Sequence, residues 1–122
     1  MTKVMIVDDE TDLREMINLI MEKEGYQTEM AVNGEDFLNK VEKFEPDLVT
    51  LDVMMPGLTT KEILEKLKNI PYKPKIILLT VVRFSDEEKE LIFKMGKVVD
   101  YVNKPFELDN LVKTVKKHLS EE

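Results

Sequence analysis

Residues 4–10 have the sequence Val-Met-Ile-Val-Asp-Asp-Glu, in which four apolar residues are followed at once by three acidic ones. A similar change occurs in Leu48–Asp52, a mostly apolar run that again ends in an aspartate. Short runs of this kind are typical of strands that are buried on both faces of a parallel sheet. These stretches therefore predict two buried strands, and Ile76–Leu79 predicts a third.

Two further stretches complete a set of five strands. In Tyr26–Met30 the residues Tyr26, Thr28 and Met30 alternate with polar ones, which indicates a half-buried strand at a sheet edge. Val98–Val102 is the fifth candidate strand.

Amphipathic stretches lie between these strands and predict five helices. Their apolar positions are, in chain order, Leu13, Met16, Ile17 and Ile20; Phe37, Leu38 and Val41; Ile63, Leu64 and Leu67; Leu91, Ile92 and Met95; and Leu108, Leu111, Val112, Val115 and Leu119. The resulting order (βα)₅ predicts an α/β domain with a parallel sheet.

Several helix ends have sequence markers. Gly25 is expected to close the first helix in a left-handed conformation, and Asn33 to start the second. Thr59 or Thr60 is the candidate N-cap of the third helix. Ser85 with Glu88 forms a capping-box pattern for the fourth helix.

The bulk properties exclude several classes of protein. With 122 residues the chain has the size of one domain, which we assign to residues 1–122, and it contains no cysteine for disulfides or thiolate metal sites. The sequence has no signal peptide and no run of roughly 20 apolar residues for a membrane span. A formal net charge of −7 disfavours binding to nucleic acid or to anionic membranes. We therefore expect a cytoplasmic protein, and a monomer.

Polar residues follow the predicted strands of the central sheet. Asp8 and Asp9 follow the first strand, Asp52 ends the third, Thr80 ends the fourth, and Lys104 follows the fifth. In parallel α/β sheets ligands bind beyond the carboxyl ends of the strands. One such residue is readily explained as a helix cap, but five at one edge indicate a functional site.

Three clustered carboxylates need a compensating charge, because like charges in contact raise one another's pKa. Carboxylate oxygens without His or Cys favour a hard cation, and an open site of this kind suits Mg²⁺. A bound Mg²⁺ would also make a carboxylate usable as a nucleophile toward phosphorus.

Four motifs make a family resemblance specific. Val-Asp-Asp-Glu at 7–10, Leu-Asp-Val-Met-Met-Pro-Gly at 51–57, Leu-Thr at 79–80 and Asn-Lys-Pro-Phe at 103–106 resemble the receiver domain of two-component response regulators. The resemblance runs from Lys3 to about Leu119. It implies a three-layer, flavodoxin-like fold with a five-stranded parallel sheet of order 2-1-3-4-5, which agrees with an edge position for the second strand.

The resemblance also implies a phosphoacceptor and its metal ligands. Asp52 matches the residue that accepts the phosphoryl group. Asp9 would bind Mg²⁺ directly, Asp8 would help through water, and the backbone carbonyl of Met54 would be a further ligand, with Mn²⁺ as an alternative ion.

The remaining motif positions have roles in switching. Thr80 matches the switch hydroxyl, Lys104 the lysine that holds the phosphoryl group, and Tyr101 the switch aromatic residue. The Lys104–Pro105 peptide is expected to be cis. The implied mechanism is that phosphorylation draws Thr80 inward, so that Tyr101 fills the vacated space and the surface of helix four, strand five and helix five repacks.

The implied partners are proteins. A histidine kinase or a histidine phosphotransferase would supply the phosphoryl group. Because the sequence ends soon after the fifth helix, we expect no output domain, and the signal would pass to a downstream target protein by contact. The chain would then be a phosphorelay carrier or a diffusible output. We expect no enzymatic activity other than the slow removal of its own phosphoryl group.

Three features depart from the family pattern, and the single histidine needs an interpretation of its own. Thr59-Thr60 stands where Asp-Gly is common, and Val81 stands where a small residue is usual, so that its side chain should crowd the phosphoryl site. One additional residue lies between Gly96 and Tyr101, which predicts an altered fourth helix or exit loop. His118, the only histidine, is interpreted as a surface residue favoured by the helix dipole.

Three other functions remain to be weighed. A phosphorylation-independent interaction module on the same fold is the main alternative, although such modules lose the site residues that are kept here. An aspartate-nucleophile phosphatase would need a second aspartate where Met54 stands. A flavin-binding protein is rejected, because the acidic, glycine-free loop 8–11 would repel a flavin phosphate.

Overall fold

The computed structural model describes residues 2–53, 55–71, 74–81, 84–95 and 98–119, without the side chain of Met95. The strands are β1 Lys3–Val7, β2 Gln27–Ala31, β3 Leu48–Asp52, β4 Lys75–Thr80 and β5 Val98–Asn103. The helices are α1 Thr11–Lys23, α2 Gly34–Phe44, α3 Thr60–Leu67, α4 Asp86–Met95 and α5 Leu108–Leu119. Strands and helices alternate along the chain, as predicted.

The five strands form one parallel sheet in the order β2-β1-β3-β4-β5. This order confirms the flavodoxin-like arrangement and the edge position of β2. The central strands are buried along their length: every residue of β3 is buried, and so are Val4–Val7 of β1 and Ile76–Thr80 of β4. Burial on both faces explains why these segments have continuous apolar runs.

Two apolar clusters lie on opposite faces of the sheet. The first cluster contains Phe37 and Val41 of α2 together with Ile63 and Leu64 of α3, and Ile92 of α4 packs against it. The second cluster is built with α1 and α5 through Ile17, Met21, Leu111 and Val115. The molecule therefore has three layers, with the sheet in the middle.

Most predicted helix ends are confirmed. Gly25 has a φ of 93° directly after α1, a backbone conformation that favours glycine. The side chain of Asn33 accepts a hydrogen bond from the backbone N–H of Asp36 at 2.8 Å. Thr59, rather than Thr60, is the N-cap of α3.

Two predicted core residues are instead exposed. Met16 of α1 is 49% exposed, and Leu91 of α4 is 63% exposed. In α1 the buried positions are Ile17 and Met21, so the face that meets the sheet is centred further round the helix than the apolar stripe indicated. Within the described ranges, no helix combines the length and apolar character that crossing a membrane requires.

Candidate functional site

The polar residues that end the central strands meet at one edge of the sheet. Asp8 follows β1, Asp52 is the last residue of β3, Thr80 is the last residue of β4, and Lys104 follows β5. Because β1, β3, β4 and β5 are neighbours and parallel, their carboxyl ends lie side by side. The backbone N–H of Lys104 donates to the carbonyl of Thr80 at 2.7 Å, which continues the pairing of the last two strands into the site.

Three carboxylates and one ammonium group form the centre of the site. One carboxylate oxygen from each of Asp8, Asp9 and Asp52 lies within 4.8 Å of the others. The Lys104 Nζ atom is 3.3 Å from Asp52 Oδ1 and 3.5 Å from Asp8 Oδ2. One lysine balances only part of the charge of three carboxylates, so the site favours an additional cation.

Asp8 is fixed through three of its polar atoms. Its backbone N–H donates to the carbonyl of Ala31 at 3.2 Å, and its Oδ1 accepts from the N–H of Glu10 at 2.9 Å. Its own carbonyl accepts from the Arg14 guanidinium at 2.9 Å. Among the described residues, no donor forms a hydrogen bond to its buried Oδ2 atom. A buried carboxylate oxygen left in this way is well suited to a metal ion.

The pKa of the Asp8 carboxyl is raised above its ordinary value of 3.8. Burial is the main cause, since it disfavours the charged form. The N–H of Glu10 and the charge of Lys104 act in the opposite direction, while the charges of Asp52 and Asp9 raise the pKa further. Without a cation, the charged form of the Asp8 carboxyl is therefore less favourable in the folded chain than in the unfolded chain.

Burial differs among the three acidic residues. Asp8 is 0% exposed and Asp52 is 4% exposed, whereas Asp9 is exposed. The site thus has a closed inner side, at Asp8 and Asp52, and an exposed outer side, at Asp9. Met54, whose carbonyl was expected to be a metal ligand, lies outside the described residues.

Thr80, the last residue of β4, and Val81, the residue after it, differ in burial. Thr80 is completely buried, while Val81 is 60% exposed. Whether Val81 crowds a phosphoryl group stays a prediction. The Lys104–Pro105 peptide is cis, as the resemblance implied.

Tyr101 lies in β5 and packs against the first cluster. Its ring is 4.7 Å from Lys89 Nζ and its centroid is 6.2 Å from that of Phe93, both on α4. The ring is therefore in contact with the helix that is expected to change its packing.

Sequence reasoning missed Arg14, which lies on the first turns of α1. Its guanidinium donates to the Asp8 carbonyl and so helps to fix the backbone between β1 and α1. A basic residue six positions after Asp8 is a weak marker, because many exposed helix residues are basic. The contact becomes visible only when α1 is placed on the sheet.

Comparison with known proteins gives a family and close relatives. The family model described as response regulator receiver domain matches residues 4–116. The sporulation initiation phosphotransferase F of Bacillus subtilis (strain 168) is 40% identical over 120 residues, which cover 96% of this chain and 93% of the relative.

Solved structures agree in fold. A CheY-like response regulator receiver domain protein from Methanospirillum hungatei JF-1 superposes with a TM-score of 0.88 at 29% identity, covering 99% of this chain and 95% of the other. The Vibrio cholerae chemotaxis protein CheY4 gives a TM-score of 0.82 at 30% identity, with 96% and 98% covered.

Proposed function

Since this chain belongs to the family of response regulator receiver domains, we propose that it is a signalling switch in which Asp52 accepts a phosphoryl group. The observation that carries this assignment is the position of Asp52. Its carboxylate is nearly buried at the end of a central strand, 3.3 Å from the Lys104 ammonium and beside two further carboxylates.

The transfer is a displacement at phosphorus. An oxygen of Asp52 forms a new bond to the phosphorus atom of a phosphohistidine, the bond between phosphorus and the imidazole nitrogen breaks, and that nitrogen keeps the electron pair. The Lys104 ammonium offers a positive charge to the phosphoryl oxygens, and the Thr80 hydroxyl a hydrogen bond.

The carboxylates of Asp8, Asp9 and Asp52 would hold Mg²⁺ or Mn²⁺, with the Met54 carbonyl as a further ligand. The buried Oδ2 atom of Asp8 supports this ligand set, because within the described residues it accepts no hydrogen bond and forms only an ion pair with Lys104 Nζ at 3.5 Å. When bound, the ion supplies positive charge that offsets the charge of the phosphoryl group. The buried carboxylates of Asp8 and Asp52 would hold the ion, and with it this positive charge, at the closed inner side of the site.

Switching would begin at Thr80 and reach the surface at Tyr101. A phosphoryl group on Asp52 attracts the Thr80 hydroxyl, and the Tyr101 ring then moves toward the vacated space. Because this ring contacts Lys89 and Phe93, its movement repacks the face formed by α4, β5 and α5. A downstream target protein would bind this face in one state only.

The phosphoryl group would come from a histidine kinase or a histidine phosphotransferase. The relative from Bacillus subtilis is named a phosphotransferase, which favours a role as a carrier that passes the group on over a role as a final output. We further propose that the protein is cytoplasmic and monomeric, and that it turns over no substrate apart from its own slow dephosphorylation.

The test is phosphorylation by a small donor. The protein is incubated with acetyl phosphate and Mg²⁺, and its intact mass is recorded beside that of an Asp52→Asn variant. We expect one phosphoryl group on the wild type, none on the wild type when EDTA is present during the incubation, and none on the variant. A folded wild-type protein that gains no phosphoryl group from acetyl phosphate or from a phosphohistidine donor would contradict the proposal.

A further inference from the structure

An irregularity in β5 explains where the additional residue before Tyr101 is accommodated. Ile76 pairs with Val98, but its neighbour Ile77 pairs with Asp100, so Val99 is an extra residue opposite β4. Such a bulge places two successive side chains on the same face of a sheet, here those of Val99 and Asp100. Val98 belongs to the first cluster, whereas Val99 packs against the second, on the side of α5. The sequence predicted an altered fourth helix or exit loop, but residues 96 and 97 between α4 and β5 lie outside the described residues, so this stays a prediction. The extra residue that the structure describes is in β5.

Asp100 is the second residue that the bulge places on the α5 side. Its Oδ2 atom lies 2.9 Å from Nε2 of His118, in the last turn of α5. Its Oδ1 atom accepts a hydrogen bond from the backbone N–H of Tyr101 at 2.8 Å. One carboxylate therefore joins the backbone of Tyr101 to the end of α5.

His118 is an anchor and not the surface residue that the sequence predicted. It is only 7% exposed, and its backbone carbonyl accepts a hydrogen bond from Lys75 Nζ at 2.7 Å. Lys75 is the first residue of β4, so the end of α5 is attached to the sheet independently of Asp100. The prediction was wrong because the partner of this histidine lies 18 residues earlier in the chain.

Tyr101 is thus held from two sides. Its ring contacts Lys89 and Phe93 of α4, and its backbone N–H is bound by Asp100, which is paired with α5. A movement of the ring that also shifts the backbone at Tyr101 must change the geometry of the Asp100 carboxylate.

We propose that Asp100 and His118 form a second arm of the switch, which couples the position of Tyr101 to the C-terminal end of α5. Asp100 is a positioning residue, since it acts through Tyr101 and touches neither the metal site nor the phosphoryl group. The inference rests on the proposed function, because it requires that phosphorylation of Asp52 displaces Tyr101. Its consequence is that the end of α5, as well as the face around Tyr101, differs between the two states.

His118 makes the test specific, because the only histidine of the chain gives a single set of imidazole signals in an NMR spectrum. The probe is beryllium fluoride, added together with Mg²⁺. Beryllium fluoride binds to a carboxylate, and the resulting adduct resembles a phosphorylated carboxylate. We expect the imidazole C–H signal of His118 to shift in the wild type and to stay in place in Asp52→Asn. This comparison needs no change at Asp100 or His118, so it does not depend on the folding of those variants.

Two pairs of variants separate coupling from simple support of the fold. In Asp100→Ala we expect the His118 imidazole signal no longer to shift on formation of the adduct, while the amide signals of Thr80 and Lys104 still shift. In Asp100→Asn we expect part of the His118 shift to return. In His118→Leu we expect the adduct to shift the Tyr101 amide signal by a different amount than in the wild type. His118→Gln should restore the wild-type shift, since its side-chain amide nitrogen reaches the place of Nε2.

Failure of this inference is distinct from failure of the proposed function. If the wild type takes the adduct and His118 does not respond, or if Asp100→Ala leaves the response unchanged, the second arm is wrong and the phosphoacceptor stands. If intact mass shows no phosphoryl group on Asp52 from any donor, both are overturned.

Discussion

At the scale of single residues, Asp8 offers the most direct test of the proposed metal site. Burial raises the pKa of its carboxyl, so the folded chain binds this proton more tightly than the unfolded chain does. Without metal, the contribution of Asp8 to the free energy of unfolding therefore falls as the pH rises from 3.8 through the raised pKa. We expect Asp8→Asn to increase the free energy of unfolding by about 1–2 kcal/mol at pH 7 in EDTA, as measured by urea denaturation.

Mg²⁺ should reverse this order of stability. A ligand that binds only the folded state at 100 times its Kd stabilises it by about 2.7 kcal/mol, and the variant has lost one of the carboxylates that would bind the ion. In EDTA the difference between the two proteins should shrink as the pH falls through the raised pKa, and it should vanish below 3.8. Glu42→Gln, an exposed change on α2, is the control. Because it keeps the three site carboxylates, its difference in stability from the wild type should change neither with Mg²⁺ nor over this pH range. Equal stabilisation of wild type and Asp8→Asn by Mg²⁺ would show that Asp8 is no ligand.

At the scale of elements, the start of α3 provides two neighbouring threonines with opposite roles. Thr59 Oγ1 accepts from the N–H of Glu62 at 3.1 Å, and Glu62 Oε1 accepts from the N–H of Thr59 at 3.0 Å. Thr60 Oγ1 is buried and, within the described residues, has no hydrogen-bond partner. The departure from the family's common Asp-Gly at these positions thus yields a capped helix.

The two threonines should therefore respond differently to substitution. We expect Thr59→Ala to lower the free energy of unfolding by about 1 kcal/mol, and Thr59→Asp to retain most of it. Thr60→Val keeps the shape and removes an unpartnered hydroxyl, so we expect it to be neutral or slightly stabilising. The measurement is urea denaturation of the three variants. If Thr59→Ala and Thr60→Val lower the free energy of unfolding by the same amount, this account of the cap is wrong.

The elements themselves were largely predictable, for a physical reason. A strand buried on both faces, such as Val4–Val7, needs a continuous apolar run, and that run is visible in the sequence. The buried face of each helix was harder to predict. An apolar stripe shows which residues can be buried, but the rotation of the helix against the sheet determines which of them are. Met16 and Leu91 lie in such stripes and are nevertheless exposed.

The site was predictable in its position and not in its contacts. The rule that parallel strands deliver their carboxyl ends to one edge places Asp8, Asp52, Thr80 and Lys104 together. It does not give the distances between them, nor the bond from Arg14 to the Asp8 backbone. The pair of Asp100 and His118 was also beyond local patterns, because it depends on a bulge that moves Asp100 to the α5 face.

At the scale of the whole molecule, charge opposes the approach of a small donor. The formal net charge is −7, and acetyl phosphate is also an anion. At about 0.01 M ionic strength the Debye length is about 30 Å, comparable to the size of a small domain, whereas at 0.15 M it is about 8 Å. The repulsion of the whole surface therefore acts on the donor at low salt and is screened at high salt.

We expect the initial rate of phosphorylation by acetyl phosphate, at saturating Mg²⁺, to rise several-fold between these two ionic strengths. The matched variant is Glu42→Lys with Glu65→Lys, two exposed positions on α2 and α3. It reduces the formal net charge to −3, since each exchange adds two positive charges, and leaves every site residue in place. Its rate should be higher at low salt and should depend less on salt, as followed by intact mass over time. A wild-type rate that falls with added salt would mean that the local charge of Lys104 and the bound ion, and not the net charge of the chain, governs the approach of the donor.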